Sequence, residues 1–282
     1  MTGSYFGFQK GQKALLCLPC DYIAGKMMVV RALVWGWDLI IVEPSGNPMQ
    51  TIEEEIDFAA MVPMQVATII SQTPSKMDLI KQLIIGGGKV NHQLWEQLQT
   101  ISTACFATYG MTETITHIAI QSLNGKKKAD AFQTLPNVKI AQDTRGCLVI
   151  DAPHVADDKI VTNDIIQLVD DQHFIWLGRF DNVINTGGVK VFPEQIEKKL
   201  EMILKERFFI SSLSDEKLGE KVIVIMERSA WNTLQITDFQ EKASSILSKF
   251  EMPKQLFFVS KFLETPTGKV QRLKTKSLLQ LS

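Results

Sequence analysis

Between residues 14 and 109 the chain alternates short apolar runs with helix-patterned segments, and few architectures accept that alternation. Ala14 to Leu18 and Leu39 to Val42 read as buried strands, with Ile23 to Val34 as a helix between them. Ile52 to Phe58 and Pro63 to Ile70 carry helical spacing. Leu83 to Ile85 is a strand running into Gly86-Gly87-Gly88, and Cys105 to Tyr109 is another. Between these two, Asn91 is placed to cap a helix carrying Leu94, Trp95 and Leu98. Strand and helix in turn predict an α/β fold with a largely parallel sheet covered on both faces.

From Pro136 the strands shorten and their connections tighten. Val138 to Ile140, Cys147 to Ile150, Ile165 to Val169 and Phe174 to Leu177 predict an antiparallel subdomain, with Asp170 to Gln172 as a hairpin loop. The pattern breaks at Trp176 to Glu197, where Arg179 and Asp181 precede a Gly187-Gly188 turn and a helix opened by Pro193. Beyond it, a helix from Pro193 to Lys205 leads into strands at Phe208 to Ser212 and Lys221 to Met226. A helix from Asp238 to Leu247, a strand from Leu256 to Val259 and a last helix near Lys274 to Leu281 complete a small α+β cap. The expected domains are 1–180, incomplete at its N-terminus, and a mobile 181–282. A charged joint between domains is a common place for a ligand pocket and a hinge.

Composition narrows the function classes. The chain has 45% hydrophobic and 22% charged residues, as in ordinary soluble domains. A net charge of −1 supplies no basic field for nucleic acid. Arg31 and Asp38 interrupt the most apolar long run, Met27 to Val42, which argues against a membrane span. With no secretory signal at Met1-Thr-Gly-Ser-Tyr5, a cytoplasmic location is expected. Cys17-Leu-Pro-Cys20 has redox spacing but follows a strand-like run, so its thiols are expected to be small buried residues.

Three stretches carry chemistry. The glycines at 86–88 follow a strand end, where backbone can approach a ring or a phosphate closely; a plain tight turn is the simpler alternative. Thr108-Tyr-Gly-Met-Thr-Glu-Thr114 places an aromatic, a glycine and a hydroxyl beside a carboxylate within a few residues. Glu113 is an oxygen donor suited to Mg²⁺, and Thr112 can donate to a phosphate oxygen. Thr265-Pro-Thr-Gly-Lys-Val-Gln-Arg272 puts Lys269 on a glycine-flexed loop, where a lysine can neutralise charge growing on phosphate.

Tyr109-Gly-Met-Thr-Glu113, Thr162-Asn-Asp164, the run 176–197 and the terminal Lys269 motif together resemble the adenylate-forming acyl-CoA ligases, in that family's order. The resemblance implies that Gly86, Gly87, Gly88, Tyr109 and Gly110 bind adenine. It also implies that Asp164 and Arg179 hold the ribose, and that Thr112 and Glu113 serve the α-phosphate and a metal. Lys269 would be the catalytic lysine of adenylation, and Lys190 with Gly187 and Gly188 would serve thioester formation after the cap turns about Asp181. ATP, Mg²⁺ and coenzyme A are thereby implied. Asn163 replaces the usual Gly, and Arg145-Gly146 stands where the family has Gly-Glu.

The family's Ser/Thr/Gly-rich phosphate loop has no counterpart in the chain, so Met1 to Tyr5 is expected to be the helix that follows it and ATP turnover by this polypeptide is expected to be impaired. Leu18 to Met28 and Thr114 to Ala119 resemble the o-succinylbenzoate–CoA ligases of menaquinone biosynthesis. That likeness makes Lys26, Arg31 and His117 candidates for contacting a small aryl dicarboxylic acid. Solvent-facing cations and a core histidine are the plain alternatives. Two other functions stay open, an adenylation domain loading a carrier protein and a nucleotide-binding remnant, and a homodimer is left open as well.

Overall fold

The computed structural model describes residues 1–265 and 269–279. The chain packs as two compact units, Met1–Thr162 with Ile166–Trp176, and Asn163–Ile165 with Leu177–Ser282.

The first unit opens with a short helix α1 (Thr2–Phe6), then β1 (Lys13–Leu16), α2 (Ile23–Trp35), β2 (Asp38–Ile41), β3 (Ile56–Met61) and α3 (Pro63–Gln72). There follow β4 (Ile80–Ile85), α4 (His92–Leu98), β5 (Ala104–Gly110), β6 (His117–Ser122), β7 (Phe132–Thr134), β8 (Lys139–Gln142), β9 (Cys147–Asp151), β10 (Ile160–Leu168) and β11 (His173–Arg179), with residues 163–165 and 177–179 of the last two strands grouping with the second unit. One eleven-stranded sheet takes the order β2-β1-β3-β4-β5-β6-β7-β11-β10-β9-β8. Its first five strands run parallel. From the β5–β6 pairing onward the described registers are antiparallel, so the short strands after Pro136 extend the same sheet.

Three expectations are corrected. Ile52 to Phe58 is not a helix, because Ile56–Met61 forms the strand between β1 and β4. Its four final residues and Ile56 are buried, and a pleat buried on both faces satisfies this apolar run where a helix stripe would expose half of it. The three glutamates at 53–55 supplied the misleading helix propensity. Residues 39–42 are not a buried strand, since β2 is the sheet's edge and Ile41 is exposed. Cys17 is buried, but Cys20 is exposed.

Local chemistry fixes the helix starts. Pro63 opens α3, and the Gln65 side chain turns back to accept from Val62 N–H at 3.1 Å. Its amide then donates to the carbonyls of Cys17 and Ser45, at 3.1 and 3.0 Å, tying the ends of β1 and β2 to α3. Asn91 caps α4 as expected, its Oδ1 accepting from Leu94 N–H at 2.8 Å. Under the sheet, Phe8 packs edge-on against Trp37 and Phe58, with ring centroids 4.4 and 4.8 Å away.

The second unit holds β12 (Ile184–Thr186), β13 (Val189–Val191), α5 (Pro193–Leu200), β14 (Phe208–Asp215), β15 (Gly219–Glu227), α6 (Thr233–Ile246), β16 (Gln255–Val259) and α7 (Arg272–Lys276). Its five-stranded sheet runs β13-β12-β15-β14, and β16 pairs parallel to β15. Ile196 and Leu200 of α5 and Phe239 and Ala243 of α6 cover one face over Val222, Val224 and Met226. The helix expected to Lys205 stops at Leu200, and the last described helix is one short turn at 272–276. The expected end of that helix at Leu281, and residues 266–268 of the Lys269 motif, lie outside the described residues. Among the described residues no helix is long and apolar enough to cross a membrane.

A buried fork closes this unit. Both Nη atoms of Arg272 donate to the Glu197 carboxylate, at 2.7 and 2.8 Å, and Ile210 N–H donates to the same group at 2.8 Å. Arg272→Ala leaves that carboxylate buried and without its cation. We expect a loss of about 3–5 kcal/mol in chemical denaturation of the chain, with part regained by the double variant Arg272→Met/Glu197→Leu.

Candidate functional site

The carboxyl ends of β3, β4 and β5 open into one cavity of about 300 Å³ within the first unit. Ala60, Met61 and Val62 line it from β3, Ile84, Gly86 and Gly87 from β4, and Thr108 and Gly110 from β5. Ile23, Ala24, Met27 and Arg31 of α2 form its far wall, and Met111, Thr112, Ile115, Thr116 and His117 close the remainder. A crevice beyond the carboxyl ends of parallel strands is the usual ligand position in such sheets.

The glycine loop and the 108–114 motif meet here for backbone reasons. Thr108 Oγ1 donates to Ile85 O at 3.3 Å, and a Cβ at Gly86 would stand 2.6 Å from that hydroxyl. The register of β5 against β6 slips between Tyr109 and Gly110. A Cβ at Gly110 would come within 2.7 Å of His117 Cα and of Thr116 O, so only glycine permits this crossing. Thr112 to Thr114 then form one 3₁₀ turn, with Thr112 lining the cavity and Glu113 exposed beside it.

Arg31 carries the site's electrostatics. It is 6% exposed on α2 and has no ion-pair partner among the described residues. One Nη donates to Thr116 Oγ1 at 3.0 Å, the other reaches Met28 Sδ at 3.8 Å, and Nε is unbonded. Burial lowers its pKa to about 10, so it is still cationic at neutral pH. A buried guanidinium without an acid is costly unless an anionic ligand completes it. His117 is 8% exposed, with Nε2 3.2 Å from Thr2 Oγ1. Burial, then the charges of Arg31 and the amino terminus, lower its pKa to about 3. It is therefore a neutral polar wall.

The structure thus brings together Arg31, Gly86, Gly87, Gly110, Thr112 and His117. Gly88, Tyr109 and Glu113 adjoin these without lining the cavity. Tyr109 packs its ring edge-on against Phe132 and Phe174, at 5.8 and 5.3 Å. Lys26 is exposed, roughly 140° around α2 from Arg31 by helix geometry, and does not line the cavity. Sequence reasoning missed Thr116, Met27 and Ile115; nothing in a Thr-Ile-Thr run announces that its last hydroxyl meets a helix 85 residues earlier.

The remaining candidates belong to the second unit. Asp164 is buried with Arg179 Nη at 3.5 Å, and Arg179 also approaches Asp181 at 3.7 Å. Asn163 Nδ2 donates to Asp181 at 3.4 Å. Gly187 and Gly188, at φ 57° and 79°, make the turn between β12 and β13 that sets exposed Lys190 opposite Asn185. Lys269 is exposed, its N–H donating to Thr265 Oγ1 at 3.1 Å and its carbonyl accepting from Thr265 N–H at 2.9 Å. Among the described residues no three His, Cys, Asp or Glu side chains group as a metal site.

This crevice of glycine loop, Tyr-Gly-Met-Thr-Glu turn and parallel strand ends defines an adenylate-forming type of fold. The profile of the AMP-binding enzymes matches residues 1–153, over half the chain, and the chain belongs to that family. Its sequence is 25% identical over 301 residues to 2-succinylbenzoate–CoA ligase of Staphylococcus epidermidis, covering 96% of this chain and 62% of that protein. The crystal structure of an acyl-CoA synthetase (AMP-forming)/AMP-acid ligase II-like protein from Dyadobacter fermentans superposes with a TM-score of 0.64 at 33% identity, over 98% of this chain and 81% of the other. The o-succinylbenzoate coenzyme A synthetase of Bacillus subtilis, in complex with ATP and magnesium, shares the fold with a TM-score of 0.75 at 18% identity, over 98% and 63%. The chain spans about three fifths of the length of the curated relatives it matches.

His117 gives a pH test. Its folded pKa lies below the ordinary value of 6.5, so the unfolded chain takes up the proton first as pH falls. Its contribution is complete above pH 6.5 and is lost progressively toward about 3. Urea denaturation should show His117→Asn losing less stability than wild type across that window.

Proposed function

We propose that the chain is the adenylate-binding and cap portion of an AMP-forming acid–CoA ligase whose acid carries a second carboxylate, with 2-succinylbenzoate as the substrate. One observation carries the substrate class: a buried, acid-free guanidinium at Arg31 lines the same cavity as the glycine loop and Thr112. A ligand carboxylate supplies the anion such a group lacks, met by the Nη hydrogens that Thr116 Oγ1 and Met28 Sδ leave unused. The apolar wall of Met27, Met61 and Ile84 suits an aryl ring. The sequence likeness to 2-succinylbenzoate–CoA ligases supports the same choice.

In the first half-reaction the substrate carboxylate attacks the α-phosphate of ATP and pyrophosphate leaves. Thr112 donates to the α-phosphate, Lys269 offsets the growing negative charge, and Gly86 to Gly88 with Tyr109 and Gly110 hold adenine. Asp164 and Arg179 hold the ribose. Mg²⁺ fits Glu113 as a hard oxygen donor on an exposed turn, with phosphate and water oxygens for its other positions, and there it would supply charge neutralisation. In the second half-reaction the coenzyme A thiolate attacks the acyl carbon and AMP leaves, with Lys190 and the Gly187–Gly188 turn serving the thiol substrate. Asp181 is the pivot between the two uses of the second unit. No membrane or nucleic-acid partner is invoked, the location is cytoplasmic, and a homodimer is compatible with this scheme.

Mass detection of a CoA thioester after incubation with ATP, Mg²⁺, coenzyme A and a panel of aryl mono- and diacids tests the reading; a product only from monoacids refutes the substrate class. Arg31→Leu should weaken binding of 2-succinylbenzoate by about 10- to 100-fold, the worth of hydrogen bonds to a charged group, in calorimetry. Lys269→Ala should slow adenylation by about 10²- to 10³-fold while sparing thioester formation from supplied acyl adenylate. Equal loss of both steps would remove Lys269 from its assigned role.

A further inference from the structure

Residues 114–116 depart from relaxed backbone beside the cavity. Ile115 has φ 60° and ψ −42°, and Thr116 N–H donates to Thr114 O at 2.5 Å. That bond and those angles make a γ-turn of the rarer, strained hand, with a β-branched residue at its centre. Such a conformation persists only where its surroundings over-determine it.

The surroundings do so here. Thr114 is fully buried, and its hydroxyl accepts from Met111 N–H at 3.0 Å. The same hydroxyl proton has Thr116 O at 2.8 Å and Met111 O at 3.0 Å as acceptors, bracing both sides of the turn. Gly110 admits Thr116 O and His117 at a distance no other residue allows. The strained turn has one polar consequence at the cavity: Thr116 Oγ1 accepts the only oxygen-directed hydrogen bond described for Arg31, at 3.0 Å. An acid at this position would also hold the guanidinium, but would cancel the charge that a ligand carboxylate needs. A hydroxyl holds it and leaves the charge intact.

We propose that Thr116 is the positioning residue of Arg31 and thereby a determinant of diacid specificity, set in place by the γ-turn at Ile115. The inference rests on the reading of the cavity as a diacid site. Thr116 touches no reacting atom; it acts by restraining a guanidinium whose other partners are a thioether and an open cavity. Serine retains the function because the hydroxyl suffices, whereas valine keeps the shape and loses the acceptor.

Two measurements on the full chain test this. Nitrogen-15 NMR of arginine side chains should show slow Cζ–Nη rotation for Arg31 in wild type and Thr116→Ser, and fast averaging in Thr116→Val. Rotation equally slow in Thr116→Val overturns the inference whatever the ligand. Calorimetry should then compare 2-succinylbenzoate with 4-oxo-4-phenylbutanoate, which lacks the ring carboxylate. Thr116→Val is expected to weaken the diacid about tenfold, the loss of one charge-assisted hydrogen bond, and the monoacid less than about twofold, with Thr116→Ser close to wild type. If Arg31→Leu abolishes the diacid preference and Thr116→Val keeps it, the positioning role is wrong and the cavity reading stands. A wild-type chain without diacid preference overturns the cavity reading and the specificity role together.

Discussion

The crossing of β5 and β6 at Gly110 is the constraint from which the site follows. The strands approach so closely there that one added carbon would overlap His117 and Thr116. The register slips by one residue to permit it, and the chain between must reverse within six residues. Thr112 to Thr114 wind into a 3₁₀ turn, Ile115 takes up the strain, and Thr116 and His117 emerge facing α2. The hydroxyl, the neutral imidazole and the exposed Glu113 are thus placed by one backbone event. Gln65 complements it by tying the ends of β1 and β2 to α3, which fixes the neighbouring rim.

Buried charge separates structure from function in this chain. Glu197 and Arg272 satisfy one another through a two-pronged fork, with a backbone N–H completing the carboxylate. Asp164 has Arg179 close by. The Glu197–Arg272 pair is complete within the fold and asks for nothing further. Arg31 is more deeply buried than Arg272 or Arg179, yet it meets a hydroxyl, a sulfur and open space. An uncompensated buried cation costs stability, and a ligand that supplies the missing charge recovers that cost on binding. The asymmetry between these cations, rather than any count of them, is what the proposed diacid reading of the cavity rests on.

The legible parts of the fold were those where local pattern and tertiary need agree. Pro63, Asn91 and Pro193 announce helix starts because their geometry works through neighbours in sequence. The central strands are readable as apolar runs because the middle of a parallel sheet is buried on both faces. Residues 52–58 misled because three glutamates imitate a helix, while the decision lay with β1 and β4, which sandwich Ile56–Met61. Edge or centre was equally hidden for β2, since strand order is a property of the whole sheet.

The sequence by itself determined the family, the order of the elements and most of the residue types at the site. Those depend on short motifs whose members are near neighbours in the chain: glycines after a strand, Tyr-Gly-Met-Thr-Glu, a lysine after Thr-Gly. Only the tertiary structure decided that Arg31 faces inward while Lys26 faces solvent, that His117 is neutral, and that Thr116 meets Arg31. Each of those turns on distance, burial and the loss of water around a charge, which are set by residues 85 or more positions apart.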